Sequence, residues 1–288
     1  MKAETDNAEA KKTTAAVVVP VYRETLTADE ELSRRHLEHH LGAHDKFLAA
    51  PERLSLTLPG YHVAKFADEF FHSTVTYSAL LLSEEFYRAF AAYEYILIYQ
   101  LDALVFSDQL REWCATGLDY VGPPWLPGEP GVDFVTEPTV GNGGFSLRRV
   151  ESFLEVLRAD GVERERDKYW EAMYEAAPAG EKLRRLPRKI MRRLGLSVAG
   201  GRAIVGGSRA GAAVDADPGG RFNEDCFWSF RAREYRPDFR VATAEEGLRF
   251  AFEVNPRKCY ELAGRRMPFG CHAWRRYDPA FWEPYLLK

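Results

Sequence analysis

The sequence has no stretch approaching ~18 consecutive apolar residues, so a membrane-spanning helix is not expected. It holds only four cysteines, Cys114, Cys226, Cys259 and Cys271, with no C-x-x-C pair among them. That spacing argues against a zinc knuckle and a disulfide framework, and fits a reducing compartment. An excess of basic charge is missing too. The 39 Lys and Arg residues against 43 Asp and Glu give a net charge of -4, and the pI is near 6.0. Neither value supplies a global pull toward nucleic acid. The polar opening "MKAETDNAEAKKTT" lacks the apolar core of a signal peptide, so the expected location is cytoplasmic. Residues 1–14 read as a disordered tail. Walker and dinucleotide fingerprints are absent as well.

What is present is an ordinary globular composition, 46% hydrophobic and 28% charged. The length suits one large α/β domain or two modest ones. "AAVVVPVY" (15–22) is a continuous β-branched run of the kind found in a parallel strand buried on both faces. "LTADEELSRRHLEHHLGA" predicts a helix with Thr27 as N-cap and Glu30 completing a capping box. "KFLAAPERL" and "YHVAKF" predict two more strands, and "STVTYSALLLSEEFYRAF" predicts one helix. A strand at "YEYILIY", a helix from near Asp108 and a strand at "DYVG" follow. Strands alternating with helices predict an α/β fold with a mostly parallel, doubly wound central sheet flanked by helices. Beyond Trp125, "LPGEPGVDFVTEPTV" reads as a long loop and "VAGGRAIVGGSRAGAAVDADPGG" as a flexible one.

Several segments carry candidate chemistry, each beside a plainer structural reading. Asp102 stands at the exit of the strand in "YEYILIYQLDALVF" (93–106), and open α/β sheets hold ligands beyond the carboxyl ends of their strands. Its carboxylate either meets a hard cation beside nucleotide phosphates or caps the following turn. "VGNGGFSLRR" sets Gly141, Gly143 and Gly144 around Asn142, forming a binding floor with close backbone approach or a bulged turn before a strand. "NEDCFWSF" places Glu224 and Asp225 ahead of an apolar helical run. They complement the helix dipole behind an Asn223 N-cap, or one is a general base for a sugar hydroxyl. His272 in "PFGCHAW" is packed or ligating, and Trp125 in "VGPPW" stacks on a sugar or fills a gap. "EKLRRLPRKIMRRLGL" (181–196) is basic and amphipathic but interrupted at Pro187. It is a solvated face or a docking surface for an anionic membrane.

In their order, "VVVPVY", "YEYILIYQLDALVF", "DYVGPPW", "VGNGGFSLRR", "NEDCFWS" and "MPFGCHAW" resemble a family of inferred glycosyltransferases with a GT-A-like fold. The resemblance runs from about Ala15 to Trp274. It implies one GT-A-like (Rossmann-like) domain over 15–288, with a nucleotide-binding half at 15–125. The acceptor-side half, 126–288, would hold a helical or loop insertion at about 160–220. The same resemblance implies donor contacts from Pro20, Val21, Tyr22, Arg23, Gln100 and Asp102, and sugar or acceptor contacts from Trp125, Asn142, Gly143 and Gly144. A divalent metal, Mn²⁺ or Mg²⁺, would sit on Asp102 and His272. Glu224 and Asp225 match the acidic motif that supplies the base in inverting members, with Asp225 favoured. This sequence departs from the D-x-D signature, because Gln100-Leu101-Asp102 replaces the first acid by an amide. The implied activity is metal-assisted transfer of a sugar from a nucleotide-sugar donor to a glycan or lipid-linked acceptor, with no nucleic acid partner. A non-catalytic nucleotide-sugar or glycan-binding module and a nucleotide-sugar hydrolase remain open beside it.

Overall fold

Strand β1 (Thr13–Pro20) begins at the edge of the segment expected to be a disordered tail and runs through the middle of the central sheet. A computed structural model describes residues 13–132, 134–162, 196–199, 202–205 and 223–288. Successive β1 side chains point to opposite faces, so Ala15, Val17 and Val19 join one hydrophobic cluster while Val18 joins another. This is why the run is apolar without alternation. β1 pairs in parallel with β2 (Asp45–Pro51) on one flank and β4 (Tyr93–Tyr99) on the other. β3 (Tyr61–Phe66) pairs in parallel with β2 at the edge. Along β4, Tyr95, Leu97 and Tyr99 face one cluster, and Ile96 and Ile98 the other.

The sheet is mixed, not mostly parallel. Its order is β3-β2-β1-β4-β9-β6, and β9 (Phe145–Arg149) runs antiparallel to both β4 and β6 (Tyr120–Val121). Side-chain alternation is the same in either direction, so direction follows from the connection. The loop feeding β9 lies where β4 ends, with Gln100 N donating to Gly144 O at 2.7 Å, so β9 must run back along β4.

Helix α1 (Ala28–Leu41) starts with the expected capping box between Thr27 and Glu30. The helix expected over 73–90 is two helices, α2 (Thr74–Leu81) and α3 (Glu84–Arg88). Ser83 ends the first and caps the second, its hydroxyl donating to Leu80 O at 2.7 Å and accepting from Phe86 N at 3.2 Å. α1 and α4 (Leu110–Ala115) cover one face of the sheet through Leu37, Leu41, Leu110 and Trp113. α2, α3 and α5 (Val150–Arg158) cover the other through Leu80, Leu81, Phe86, Phe153 and Leu154.

A smaller sheet joins β5 (Leu104–Val105) to β12 (Ala251–Phe252) and β13 (Gly270–Cys271) and packs on Trp274 and Trp282. β7 (Pro124–Trp125) pairs with β8 (Thr139–Val140). β10 (Leu196–Ala199) and β11 (Arg202–Val205) pair antiparallel, β10 starting two residues before the stretch expected to be a flexible loop and β11 lying inside it. There Val198, Ile204 and Val205 give strand propensity that the glycines mask. Most of the expected insertion at about 160–220, and residues 181–195 of the basic segment, lie outside the described residues. Among the described residues no helix is long and apolar enough to cross a membrane.

Candidate functional site

Strand order reverses between β1 and β4, since β2 follows β1 on one side while β4 lies on the other. Open α/β sheets hold ligands at such a reversal. The register pairs Val18 with Ile98, which brings the segment Pro20, Val21, Tyr22 and Arg23 to the edge where Gln100 and Asp102 follow β4. Val21 is buried, whereas Tyr22 is exposed beneath the Arg23 guanidinium, 5.2 Å from its ring centre. Arg23 in turn pairs with Glu30 of α1 at 2.5 Å.

A turn closed by Ala103 N donating to Gln100 O (2.9 Å) carries the chain from β4 into β5 and leaves the Asp102 carboxylate about half exposed. Strand β13 pairs with β5, Cys271 opposite Leu104, so His272 emerges beside Asp102. Ala273 follows in the left-handed region at φ 50°, and the next residue, Trp274, donates its N–H to the Asp102 carbonyl at 3.1 Å. His272 Nε2 therefore lies 3.2 Å from Asp102 Oδ1 and 3.2 Å from Gln100 Oε1.

Behind the ring, His272 Nδ1 lies 2.8 Å from Glu253 Oε1, and Glu253 Oε2 accepts from Asn142 Nδ2 at 2.9 Å. Asn142 Oδ1 accepts from Gly144 N at 2.6 Å and Phe145 N at 2.7 Å. The buried Asn142 thus spends its amide on tying the glycine loop to Glu253. Burial works against charge on His272, but the Asp102 and Glu253 carboxylates outweigh it and raise its pKa to about 10. Burial raises the Asp102 carboxyl as well, yet the His272 imidazole leaves it below the usual range, with a further contribution from Arg276.

Glu224 and Asp225 have opposite environments. Glu224, 2% exposed, receives both Nη1 (3.0 Å) and Nη2 (2.9 Å) of Arg148, which projects from β9 and is fully buried. Arg148 also donates to Tyr87 Oη at 2.9 Å and Ser146 Oγ at 3.0 Å. Both Glu224 oxygens are therefore engaged. Among the described residues half-buried Asp225 has no such cation, and its carboxylate accepts from Cys226 N at 2.9 Å and from the Cys226 thiol. Burial, reinforced by the charges of Glu224 and Glu253, lifts its carboxyl to about 7. Asn223 makes no side-chain cap bond, and a π-helical turn, Phe227–Arg231, follows the short helix Glu224–Cys226.

The glycines separate these two acid centres. A Cβ on Gly143 would lie 2.5 Å from Glu224 Oε1, and one on Gly144 would overlap His272 Nε2 and lie 2.6 Å from Gln100 Oε1. Glycine is needed here for close packing between side chains. Gly144→Ala is expected to push His272 away from Asp102 and to cost about 1–3 kcal/mol of stability. Urea unfolding measures the cost, and the His272 ring resonances in NMR report the displacement. Trp125 is buried against Gly141, where an added Cβ would overlap its ring. The exposed aromatic on this side is Phe230, stacked on Trp125 at 6.0 Å.

The sequence singled out Asp102, His272, Gln100 and Asn142, and the structure brings all four together. It missed Glu253 and Arg148. Glu253 is a lone acid after a short strand, 111 positions from its Asn142 partner, and no local spacing marks it. Arg148 lies in "FSLRR", where no local spacing sets it apart from Arg149. Among the described residues no group of three or more His, Cys, Asp or Glu side chains is placed to hold a metal ion.

A family model described as "Protein of unknown function (DUF5672)" matches residues 60–272, well over half of the chain. The chain belongs to the DUF5672 family. The DUF5672 match takes in Asp102, Asn142, Asp225, Glu253 and His272 and leaves out β1 with the Pro20–Arg23 segment. No curated protein matches the chain. Among solved structures, it is similar to core-mannan synthase A (CmsA/Ktr4) from Aspergillus fumigatus in its Mn/GDP form, at 12% identity and a TM-score of 0.36. That likeness covers 56% of this DUF5672 chain and 65% of the other, less than two thirds of the latter.

Proposed function

We propose that this chain is a glycosyltransferase of GT-A-like architecture, moving a sugar from a nucleotide-sugar donor to a hydroxyl of a glycan or lipid-linked acceptor with inversion. One observation supports this reading above the rest. Two unlike acid centres lie about the same glycine loop where strand order reverses: Asp102–His272–Glu253, with His272 packed on Gly144, and the Glu224–Asp225 pair, in which Glu224 packs on Gly143 and Asp225 feels the charge of Glu253. A leaving diphosphate needs positive charge, an attacking hydroxyl needs a base, and the two centres differ in the sense each task requires.

The first centre fits a divalent cation. Glu253 holds His272 Nδ1 from behind, the usual support for a ligating imidazole, and Nε2 faces the oxygens of Asp102 and Gln100. Asp102 and His272 would hold Mn²⁺ or Mg²⁺, the cation taking the place of the Nε2 proton that His272 otherwise keeps, with Gln100 beside them and phosphate oxygens completing the set. Bound there, the cation would supply charge to the departing nucleoside diphosphate. The segment Pro20–Arg23 borders the same edge and suits the nucleotide. Asp225, poised near neutral pH, takes the proton of the acceptor hydroxyl as its oxygen attacks the anomeric carbon. The new C–O bond forms as the bond to the diphosphate oxygen breaks, and a single displacement inverts the configuration. Glu224 holds the loop through Arg148 and leaves the base role to its neighbour.

The test is a panel of UDP- and GDP-sugars with acceptor glycosides, with and without Mn²⁺, read as nucleoside diphosphate release and anomeric configuration of the product. The expected outcome is acceptor-dependent release that falls about 10²–10³-fold in Asp102→Ala. Free sugar released without acceptor would identify a hydrolase. Donors that bind without any turnover would replace transfer by a binding role.

A further inference from the structure

Most arginines at this edge are already paired. Arg23 is bonded to Glu30, and Arg275 lies 3.4 Å from Asp29. The N-terminus of α1, which carries Asp29, is closed by its own capping box and by three acids, Asp29, Glu30 and Glu31, in its first turn. It therefore offers little to an anion. Arg276 differs. Its side chain is exposed, makes no ion pair among the described residues, and lies over the Tyr277 ring at 5.2 Å.

The backbone carrying Arg276 is fixed to the site. The turn opens at left-handed Ala273, directly after His272, and Arg276 N and Tyr277 N both donate to Ala273 O, at 2.9 and 3.0 Å. Trp274, two residues before Arg276, is the residue bonded to the Asp102 carbonyl. We propose that Arg276 binds the diphosphate of a nucleoside diphosphate group held beside Asp102 and His272, an assignment that rests on the nucleotide-sugar reading above. An exposed carboxylate such as Asp102 repels a bare diphosphate, so the subsite needs an unspent positive charge close by. A guanidinium presents paired N–H donors that match phosphate oxygens, and the Tyr277 ring restrains its plane.

Isothermal titration of the full chain with UDP, GDP, UMP and GMP, each with and without Mn²⁺, tests this in wild type, Arg276→Ala and Arg276→Lys. The expected result is diphosphate affinity roughly ten- to a hundredfold weaker in Arg276→Ala, monophosphate affinity nearly unchanged, and partial recovery in Arg276→Lys. Unchanged diphosphate affinity in Arg276→Ala, or equal loss for mono- and diphosphates, would overturn the role of Arg276 and leave the nucleotide-sugar reading standing. A wild type that binds neither UDP nor GDP would remove both together. Because Arg276 is exposed, circular dichroism and thermal unfolding should match wild type in every variant.

Discussion

Asp225→Asn is expected to lower acceptor-dependent transfer by about 10²–10⁴-fold while the protein stays folded. The substitution keeps the size and the hydrogen bond to Cys226 N but removes the site that takes the proton. With its carboxyl lifted to about 7, wild-type kcat/KM should rise close to tenfold per pH unit below that value and level off above it. A profile flat from pH 5 to 8 would sink the base assignment. Stability should move the other way. The folded chain holds the Asp225 proton more tightly than the unfolded chain, whose carboxyl titrates near 3.8. The associated stabilisation is complete below about 3.8 and is lost as pH rises through about 7. Asp225→Asn removes that loss, so urea unfolding should show its advantage over wild type growing between pH 5 and pH 8. A residue that served packing alone would lose stability and activity together.

Arg148→Met should destabilise the protein by about 3–5 kcal/mol, because it strands a buried carboxylate without its cation. Glu224 is 2% exposed and Arg148 fully buried, so water cannot replace the lost partner. Replacing both, as Arg148→Met with Glu224→Met, should recover most of the loss, since neither charge is then left alone. Denaturant unfolding of the two single variants and the double variant closes a cycle. A single variant within about 1 kcal/mol of wild type would contradict the pairing. Glu224→Gln separates structure from chemistry: it should weaken the fold yet retain most transfer activity. Loss of transfer comparable to that of Asp225→Asn would return Glu224 to candidacy as the base.

Legibility in the sequence followed the range of the interactions. The capping box at Thr27 and Glu30, the two-faced apolar run of β1 and the strands at 45–51 and 61–66 are set by near neighbours, and each was readable. The antiparallel course of β9 was not, because "FSL" alternates identically in either direction. The break at Leu82–Ser83 was hidden by continuous helix-compatible residues and depends on one serine hydroxyl serving two turns. At the site, the order of motifs pointed to Asp102, Asn142 and His272. Motifs could not say what each side chain was spent on. Asn142 looked like a sugar contact, yet its amide is saturated by the protein. Of the adjacent acids at 224 and 225 the resemblance favoured Asp225 as the base, but no local spacing gave the physical reason, a buried arginine 76 positions away from Glu224 that engages both of its oxygens.

The site straddles two sheets. Gln100 and Gly144 adjoin strands β4 and β9 of the large one, while Glu253 and His272 follow the two-residue strands β12 and β13 of the small one. Short strands are held by few ladder bonds, such as His272 N to Phe252 O at 2.9 Å, so the small sheet is expected to open before the large one. Its opening dismantles the site while the six-stranded sheet stays intact. Hydrogen exchange at the His272 amide then times the lifetime of the assembled site. A ligand held by residues of both sheets would lengthen that lifetime by mass action, acting as a clasp between them.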